Sequence, residues 1–264
     1  MNEMATLLAA DSPLDHVVEH PIAQFGPVVF TNHMLMVLEA AAVLLIVLPL
    51  AVRRQALVPR GLYSFVEAIC QFLREELARP LLGKHVDRYI QYLWTTFFFI
   101  LACNLLGMLP TESLVTLLSL GRLKHLGGTA TANIYVTGTL AALALVMIHV
   151  SGARQQGVLS YLKNFIPHVP WPLIPFMYVL EFAGALIKPF ALAIRLFANM
   201  LAGHTVLAAL LLLALASRSY AVAGVTVLGC AALSLLELFV AFLQAYIFTF
   251  LTALFLSTAV HPEH

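Results

Sequence analysis

The chain has 264 residues, of which 61% are hydrophobic and only 10% are charged, and its formal net charge at pH 7 is +1. Because soluble domains are about one quarter charged, this composition excludes an ordinary soluble protein and indicates an integral membrane protein. The nearly neutral charge balance also argues against nucleic acid as a partner, since proteins that bind it carry a basic surface.

The N-terminal part of the chain contains a polar leader, one predicted span and one predicted surface helix. The leader, residues 1–32, is acidic, with Asp11 and Glu19, and has no basic segment before an apolar core, so we expect no cleaved signal peptide. The apolar run 33–52 has about the 20 residues that a membrane-spanning helix needs. In 62–79, apolar and charged residues alternate at helical spacing, which predicts an amphipathic helix on the membrane surface.

Further apolar segments follow at 89–109, which Pro110 ends, and at 132–150. The stretches 173–216 and 220–260 are almost entirely apolar. Each would be about 60 Å long as a helix, whereas the hydrocarbon core is only about 30 Å thick. Each stretch holds either two ordinary spans or one tilted helix. Because no polar loop divides either stretch, we predict two long, tilted, antiparallel helices.

The chain is therefore predicted to be an all-α integral membrane protein with five transmembrane helices and one amphipathic surface helix. Its single membrane domain covers 33–260, and a short tail follows at 261–264. The orientation in the membrane follows from the basic residues of the loops. One side has nine of them: Arg53, Arg54, Arg60, Arg74, Arg79, Lys84, Arg88, Arg154 and Lys163. The other side has only Arg122, Lys124 and Arg218. Because cytoplasmic loops are rich in Lys and Arg, the N-terminus is predicted outside and the C-terminus inside.

Several polar and ionisable residues stand inside the first long apolar stretch. Arg195 cannot lose its proton, and holding a guanidinium at bilayer depth costs from a few to about ten kcal/mol. Such a charge usually marks an ion pathway, a counter-ion site or a gate. Glu181, Lys188 and Arg195 recur every seven residues and so share a helix face, with Asn199 one turn further on. His204 is rotated to the opposite face. Small residues in this part of the helix also allow another helix to approach closely.

The second long stretch carries Glu237 and Gln244, again seven residues apart on one face. In an antiparallel pair of helices, Arg195 opposite Gln244 and His204 opposite Glu237 belong to nearly the same register. That register places the turn at the polar tripeptide 217–219. Arg195 and Gln244 would then lie at mid-membrane, with His204 and Glu237 about 11–14 Å nearer the outer side.

These residues suit proton movement. A partly buried histidine or glutamate can titrate near physiological pH, so His204 and Glu237 can relay protons, whereas Arg195 would block leakage between two hydrated pockets. Structural interpretations stay open for each residue. Lys188 can snorkel to the interface, Glu181 can be interfacial, and His204 with Glu237 can be a structural pair. Gln244 can serve only as an interhelical contact, and Arg195 can be structural.

Two long motifs resemble subunit a of the F-type ATP synthases. They are KPFALAIRLFANMLAGH at 188–204 and LELFVAFLQAYIF at 236–248, and NLLGMLP at 104–110 also fits. The resemblance implies that Arg195 faces a carboxylate on a rotating ring of small, c-type hairpin subunits. The other residues of the proton path that it implies are Asn199 and Gln244 near Arg195, His204 and Glu237 in the outer half-channel, and Glu181 in the inner one. Lys188, which begins the first motif, is a further candidate residue of the path. Some family members have the acid first and the histidine second, the reverse of this chain.

The resemblance further implies a proton-conducting stator subunit with two offset half-channels, in contact with peripheral-stalk, b-type subunits. Such a subunit is not an enzyme by itself, because the ATP chemistry resides on other subunits, and we expect no cofactor and no metal. His204 suits protons better than sodium. The expected location is a bacterial inner membrane, or alternatively a mitochondrial one. The alternatives are a proton-coupled secondary transporter, in which Arg195 binds an anionic substrate, and a structural scaffold. No internal repeat supports the transporter.

Overall fold

The computed structural model describes residues 21–25, 28–52, 61–109, 129–164, 170–217 and 219–260. In that part of the chain, five helices are long and apolar enough to cross a membrane. This confirms the predicted helical membrane fold. The physical reason is that a backbone in hydrocarbon can satisfy its N–H and C=O groups only within a helix or a closed barrel. The division into leader, single membrane domain and tail stays a prediction.

A short antiparallel hairpin precedes the first helix. Strand β1, Pro21–Phe25, pairs with β2, Val28–Thr31, and the register shifts once between Pro21 and Ala23. Sequence analysis gave this segment only as part of a polar leader. The strands are five and four residues long, too short for alternation of apolar and polar residues to stand out.

The helices follow in chain order. Helix α1 is Asn32–Val52 and α2 is Leu62–Phe72, which continues as a π-helical turn, Leu73–Ala78, and as α3, Arg79–Leu82. Then come α4, Val86–Met108, α5, Ile134–Gln156, and α6, Val158–Asn164. The last two are α7, Ile174–Ser217, and α8, Tyr220–Val260.

The predicted surface helix is helical, and it has one buried and one charged side. Leu73 and Leu77 are fully buried in the π-helical turn. On its charged side, Arg74 Nη2 lies 2.6 Å from Asp87 Oδ1, and Arg79 Nη1 lies 2.5 Å from Glu75 Oε2. These pairs agree with an amphipathic helix; its position at the membrane surface stays a prediction.

The chain divides into two compact units. The first comprises Met1–Val43, Ile100–Val136 and Arg195–Gln244; the second comprises Leu44–Phe99, Thr137–Ile194 and Ala245–His264. Each of the two long helices contributes one part to the first unit and another part to the second. Neither unit is therefore a single continuous stretch of the chain.

The cores of the two units differ in polarity. In the first, Met36, Ala40 and Leu196 are buried together with polar side chains such as His33 and Asn104. The core of the second is dominated by large apolar side chains, including Leu93, Phe97, Phe248 and Leu256. In the most apolar segments of α7 and α8, only 17% and 11% of the residues are buried. In the most apolar segment of Tyr63–Met108, which ends with α4, 50% are buried. The long helices therefore present wide apolar faces to lipid or to another protein.

Candidate functional site

His204 and Glu237 face each other in the first unit, as the antiparallel register predicts. His204 Nε2 lies 4.0 Å from Glu237 Oε1, and the two side chains are only 17% and 9% exposed. This separation is longer than a hydrogen bond, whose donor and acceptor atoms lie within about 3.2 Å. Among the described residues, Glu237 Oε1 is buried without a hydrogen-bond partner. A buried carboxylate oxygen of this kind requires a proton, a water or another donor.

Gly203 makes the position of this carboxylate possible. A Cβ atom added at Gly203 would lie 2.9 Å from Glu237 Cδ and nearer still to Oε1. The carboxylate thus occupies the space that any other residue at 203 would fill. The small residues in this part of α7 are visible in the sequence, but only the structure shows that the acid of α8 occupies the space beside them.

Arg195, Asn199 and Gln244 also lie in the first unit, at its boundary along α7 and α8. Arg195 is exposed, and no acidic oxygen of the described residues lies within 4.0 Å of its guanidinium. Gln244 is only 4% exposed, and its Nε2 has no hydrogen-bond partner in the described part of the chain. Asn199 is half-buried. The structure does not join Arg195 to Gln244 by a hydrogen bond, so their shared level remains a prediction.

The first unit exposes apolar side chains of both long helices together with Arg195. Val206 on α7 is 47% exposed, and Phe239 on α8 is 62% exposed. A permanent charge on such a face is unfavourable next to lipid and calls for an anionic partner. An exposed, fixed cation among exposed apolar side chains is therefore the central feature of this site.

A buried polar layer holds α4 and α8 together one helical turn from Glu237. Asn104 Nδ2 donates to the backbone oxygen of Ala241 at 3.2 Å, and Thr131 Oγ1 donates to Asn104 Oδ1 at 2.9 Å. All three residues are at most 2% exposed. A buried donor or acceptor without a partner costs free energy, so these hydrogen bonds fix the position of α8 next to the site. Sequence analysis placed Asn104 in a motif without a role.

The polar layer continues to the first helix. His33 Nδ1 lies 3.0 Å from the backbone oxygen of Thr129, and both residues are 1% exposed. Gly107 permits the close packing of α4, since a Cβ there would lie 3.1 Å from Thr129 Cγ2 and 2.5 Å from Met200 Cε. Neither contact was visible in the sequence, because each joins segments far apart in the chain.

Glu181 and Lys188 lie in the second unit. Lys188 is exposed, and its Nζ lies 5.3 Å from the ring centroid of Phe255, a cation–π contact. Glu181 is half-buried. Burial raises the pKa of Tyr161, and the negative charge of Glu181 raises it further, so Glu181 lies within electrostatic reach of this tyrosine. In the described residues, no three His, Cys, Asp or Glu side chains form a group able to bind a metal ion.

These features define a class: a helical membrane protein with an exposed intramembrane arginine and a buried histidine–carboxylate pair. The family model described as ATP synthase A chain matches residues 34–257. The chain belongs to this family, which confirms the resemblance of its motifs.

Three individual relatives belong to the same family by name. The chain is 42% identical over 261 residues to ATP synthase subunit a of Anaeromyxobacter sp. (strain Fw109-5), covering 94% of this chain and 60% of the relative. To ATP synthase subunit a 2 of Chlorobaculum tepidum it is 38% identical over 257 residues, covering 94% of this chain and 68% of the relative. To ATP synthase subunit a 2 of Prosthecochloris aestuarii it is 35% identical over 278 residues, covering 97% and 81%. The chain thus spans about 60% of the length of the Anaeromyxobacter relative.

Proposed function

We propose that this chain is the proton-conducting stator subunit of a rotary ATP synthase. It would supply two offset half-channels to the carboxylates of a rotating ring and so couple proton flow to ATP synthesis. The observation that carries this proposal is the exposed charge of Arg195 within a long apolar helix, without an acidic partner among the described residues. Membership of the ATP synthase A chain family supports it.

Arg195 acts as the seal between the half-channels. Opposite charges about 4 Å apart attract by about 4 kcal/mol at an effective dielectric constant near 20, which favours ionisation of a ring carboxyl by about a thousandfold. The same positive charge repels a proton that would otherwise pass directly from one half-channel to the other. Arg195 itself never gives up its proton. Gln244, which is buried on α8, would be a neighbour of Arg195 in this path.

His204 and Glu237 form the proton-exchanging pair of the outer half-channel. Their 4.0 Å separation is too long for direct transfer but fits transfer through one bridging water or after a small side-chain rotation. A proton taken up by this pair passes to the ring carboxylate, neutralises it, and allows it to enter lipid. Glu181 and Lys188 belong to the inner half-channel, where the proton leaves after the ring has turned.

The partners follow from this mechanism. The exposed apolar face around Arg195 would contact the ring of c-type hairpin subunits, and b-type peripheral-stalk subunits would hold the chain against rotation. The chain would perform no ATP chemistry itself, since that would reside on other subunits. We place it in a bacterial inner membrane, as for the bacteria of the relatives above, with its N-terminus outside and C-terminus in the cytoplasm. Membership of the ATP synthase A chain family does not favour the secondary-transporter alternative.

The test uses inverted membrane vesicles that contain the assembled complex, with Arg195→Ala compared with wild type. We expect ATP-driven proton pumping to be lost, while a passive proton leak that depends on the ring persists or increases. Arg154→Ala is the matched control, because it also removes one exposed positive charge but lies at the end of α5, outside the apolar face. Unchanged pumping in Arg195→Ala would refute the proposal and leave the arginine structural.

A further inference from the structure

The second unit contains a hydrogen-bonded pair of ionisable side chains, His149 and Tyr161. His149 Nδ1 and the Tyr161 hydroxyl are 2.7 Å apart, a short hydrogen bond, and the two ring centroids are 6.0 Å apart at an interplanar angle of 72°. His149 belongs to α5 and Tyr161 to α6. Sequence analysis assigned neither residue a role.

The chain is built to bring these two residues together. Gly157 has a φ of 83°, a left-handed conformation that favours glycine, and it separates α5 from α6. The Tyr161 N–H then donates to the Gly157 oxygen at 2.8 Å. A Cβ at Gly152 would lie 3.0 Å from Tyr161 Cδ2, so the tyrosine ring fits against a position without a side chain. Two glycines therefore set the place of the hydroxyl beside His149.

Two ionisable residues of α7 lie within electrostatic reach of the pair. The charge of Glu181 acts on Tyr161, and that of Lys188 acts on His149. Burial, together with Glu181, raises the pKa of Tyr161, so its hydroxyl keeps a proton to donate or pass on. On the neighbouring side, Gln156 Nε2 donates to the backbone oxygen of Ala259 at 2.8 Å, which joins the end of α5 to the end of α8.

We propose that His149 and Tyr161 relay protons at the inner end of the exit path, next to Glu181. This inference rests on the proposed function. Its location follows from the sequence: the pair lies at the end of α5 that leads to Arg154 and Lys163, on the side predicted to be cytoplasmic.

The relay conserves protons at each step. A proton that reaches the Tyr161 oxygen displaces the hydroxyl proton onto His149 Nδ1, and the imidazole releases its Nε2 proton toward the inner water. Return of the remaining proton from Nδ1 to Nε2, by exchange with water, restores the starting tautomer. Histidine suits this role because its two nitrogens can bind and release protons near neutral pH.

A structural role for the pair makes a different prediction from a relay. The side-chain amide in His149→Asn can occupy the place of Nδ1 and keep a hydrogen bond to Tyr161, but an amide cannot carry a proton at neutral pH. The relay therefore predicts loss of function in His149→Asn, whereas a merely structural pair predicts retention. Tyr161→Phe removes only the hydroxyl and keeps the ring against Gly152.

The rates are measured as ATP synthesis driven by an imposed proton gradient, per assembled complex, in vesicles. We expect His149→Asn and Tyr161→Phe each to lower the rate by about tenfold, less than the 10²–10⁴ typical of acid–base catalysis because water can partly substitute. ATP hydrolysis measured with the vesicles made leaky to protons should stay near wild type. Rates per complex that match wild type in both variants would overturn the relay.

A second measurement does not depend on the rate of the variants. In a chain whose Cys70, Cys103 and Cys230 are replaced by alanine, His149→Cys should react with a charged, membrane-impermeant thiol reagent added from the inner side, because the proposed relay opens to the inner water. Val150→Cys is the matched control, because Val150 is the next residue and 40% exposed on an apolar helix face, and it should react more slowly. Lack of reaction at position 149, or reaction no faster than at position 150, would contradict the proposal.

The two proposals fail separately. If Arg195→Ala abolishes pumping while His149→Asn and Tyr161→Phe are unaffected, only the relay is wrong. If Arg195→Ala pumps like wild type, the proposed function itself is wrong.

Discussion

Gly203 lies against the carboxylate of Glu237, and we predict that Gly203→Ala reduces proton pumping without unfolding the protein. The added Cβ would lie 2.9 Å from Glu237 Cδ, whereas ordinary contacts begin at 3.4 Å, so the carboxyl group must move by about half an ångström or more. That movement is directed away from α7 and therefore away from His204, which is already 4.0 Å from Glu237.

The free-energy terms of Gly203→Ala partly offset each other for stability, whereas the displacement of the carboxyl group still slows proton transfer. Alanine is favoured over glycine inside a helix by about 1 kcal/mol, and overpacking a close contact costs about 1–3 kcal/mol. The net destabilisation is therefore between about zero and 2 kcal/mol. A displacement of about 1 Å at a proton-transfer site can reduce a rate by up to about a hundredfold, and we expect a loss of about tenfold.

The assay is ATP-driven acidification of inverted vesicles, normalised to the amount of assembled complex. Gly224→Ala is the matched control: it is a glycine of α8 in the same unit, and an added Cβ there meets nothing within 4 Å. Glu237→Asp shortens the acid by one methylene group and should partly restore pumping when combined with Gly203→Ala. Pumping at the wild-type level in Gly203→Ala alone would refute the reasoning.

Two further predictions concern the same unit. The double exchange His204→Glu with Glu237→His keeps one imidazole and one carboxylate at the 4.0 Å contact, so it should pump faster than either single variant; equal or slower pumping would contradict a shared proton-exchanging role. Asn104→Leu removes the hydrogen bonds to Ala241 and Thr131, which should destabilise the chain by about 1–3 kcal/mol and lower its thermal unfolding midpoint in detergent. An unchanged midpoint would show that this polar layer does not hold α8.

Sequence patterns predicted much of the site because they depend on local and periodic properties. The hydrophobic length of a segment predicts a membrane helix, and helical spacing places Arg195 and Lys188 on one face. The antiparallel register, inferred from only two residue pairs, brought His204 opposite Glu237, and the structure has them 4.0 Å apart. That Arg195 and Gln244 lie at the same depth in the membrane stays a prediction.

The contacts that position the site could not be predicted in this way. The hydrogen bond from Asn104 to Ala241 joins residues 137 positions apart, and that of Gln156 to Ala259 joins residues 103 apart. The periodic spacing of residues within a single helix cannot predict a contact between such distant segments. The pair formed by His149 and Tyr161 is only 12 residues apart, but it depends on the turn between the two helices rather than on helical spacing.

The sequence by itself determined that this is a helical membrane protein, which of its helices are unusually long, and which ionisable residues they carry. These properties depend on segment length and on the high cost of charge in lipid, both of which are local. Only the tertiary structure decided that Glu237 fits against Gly203, that Asn104 fixes α8, and that Tyr161 reaches His149. The reason is that packing between helices depends on shape and on donors and acceptors contributed by distant parts of the chain.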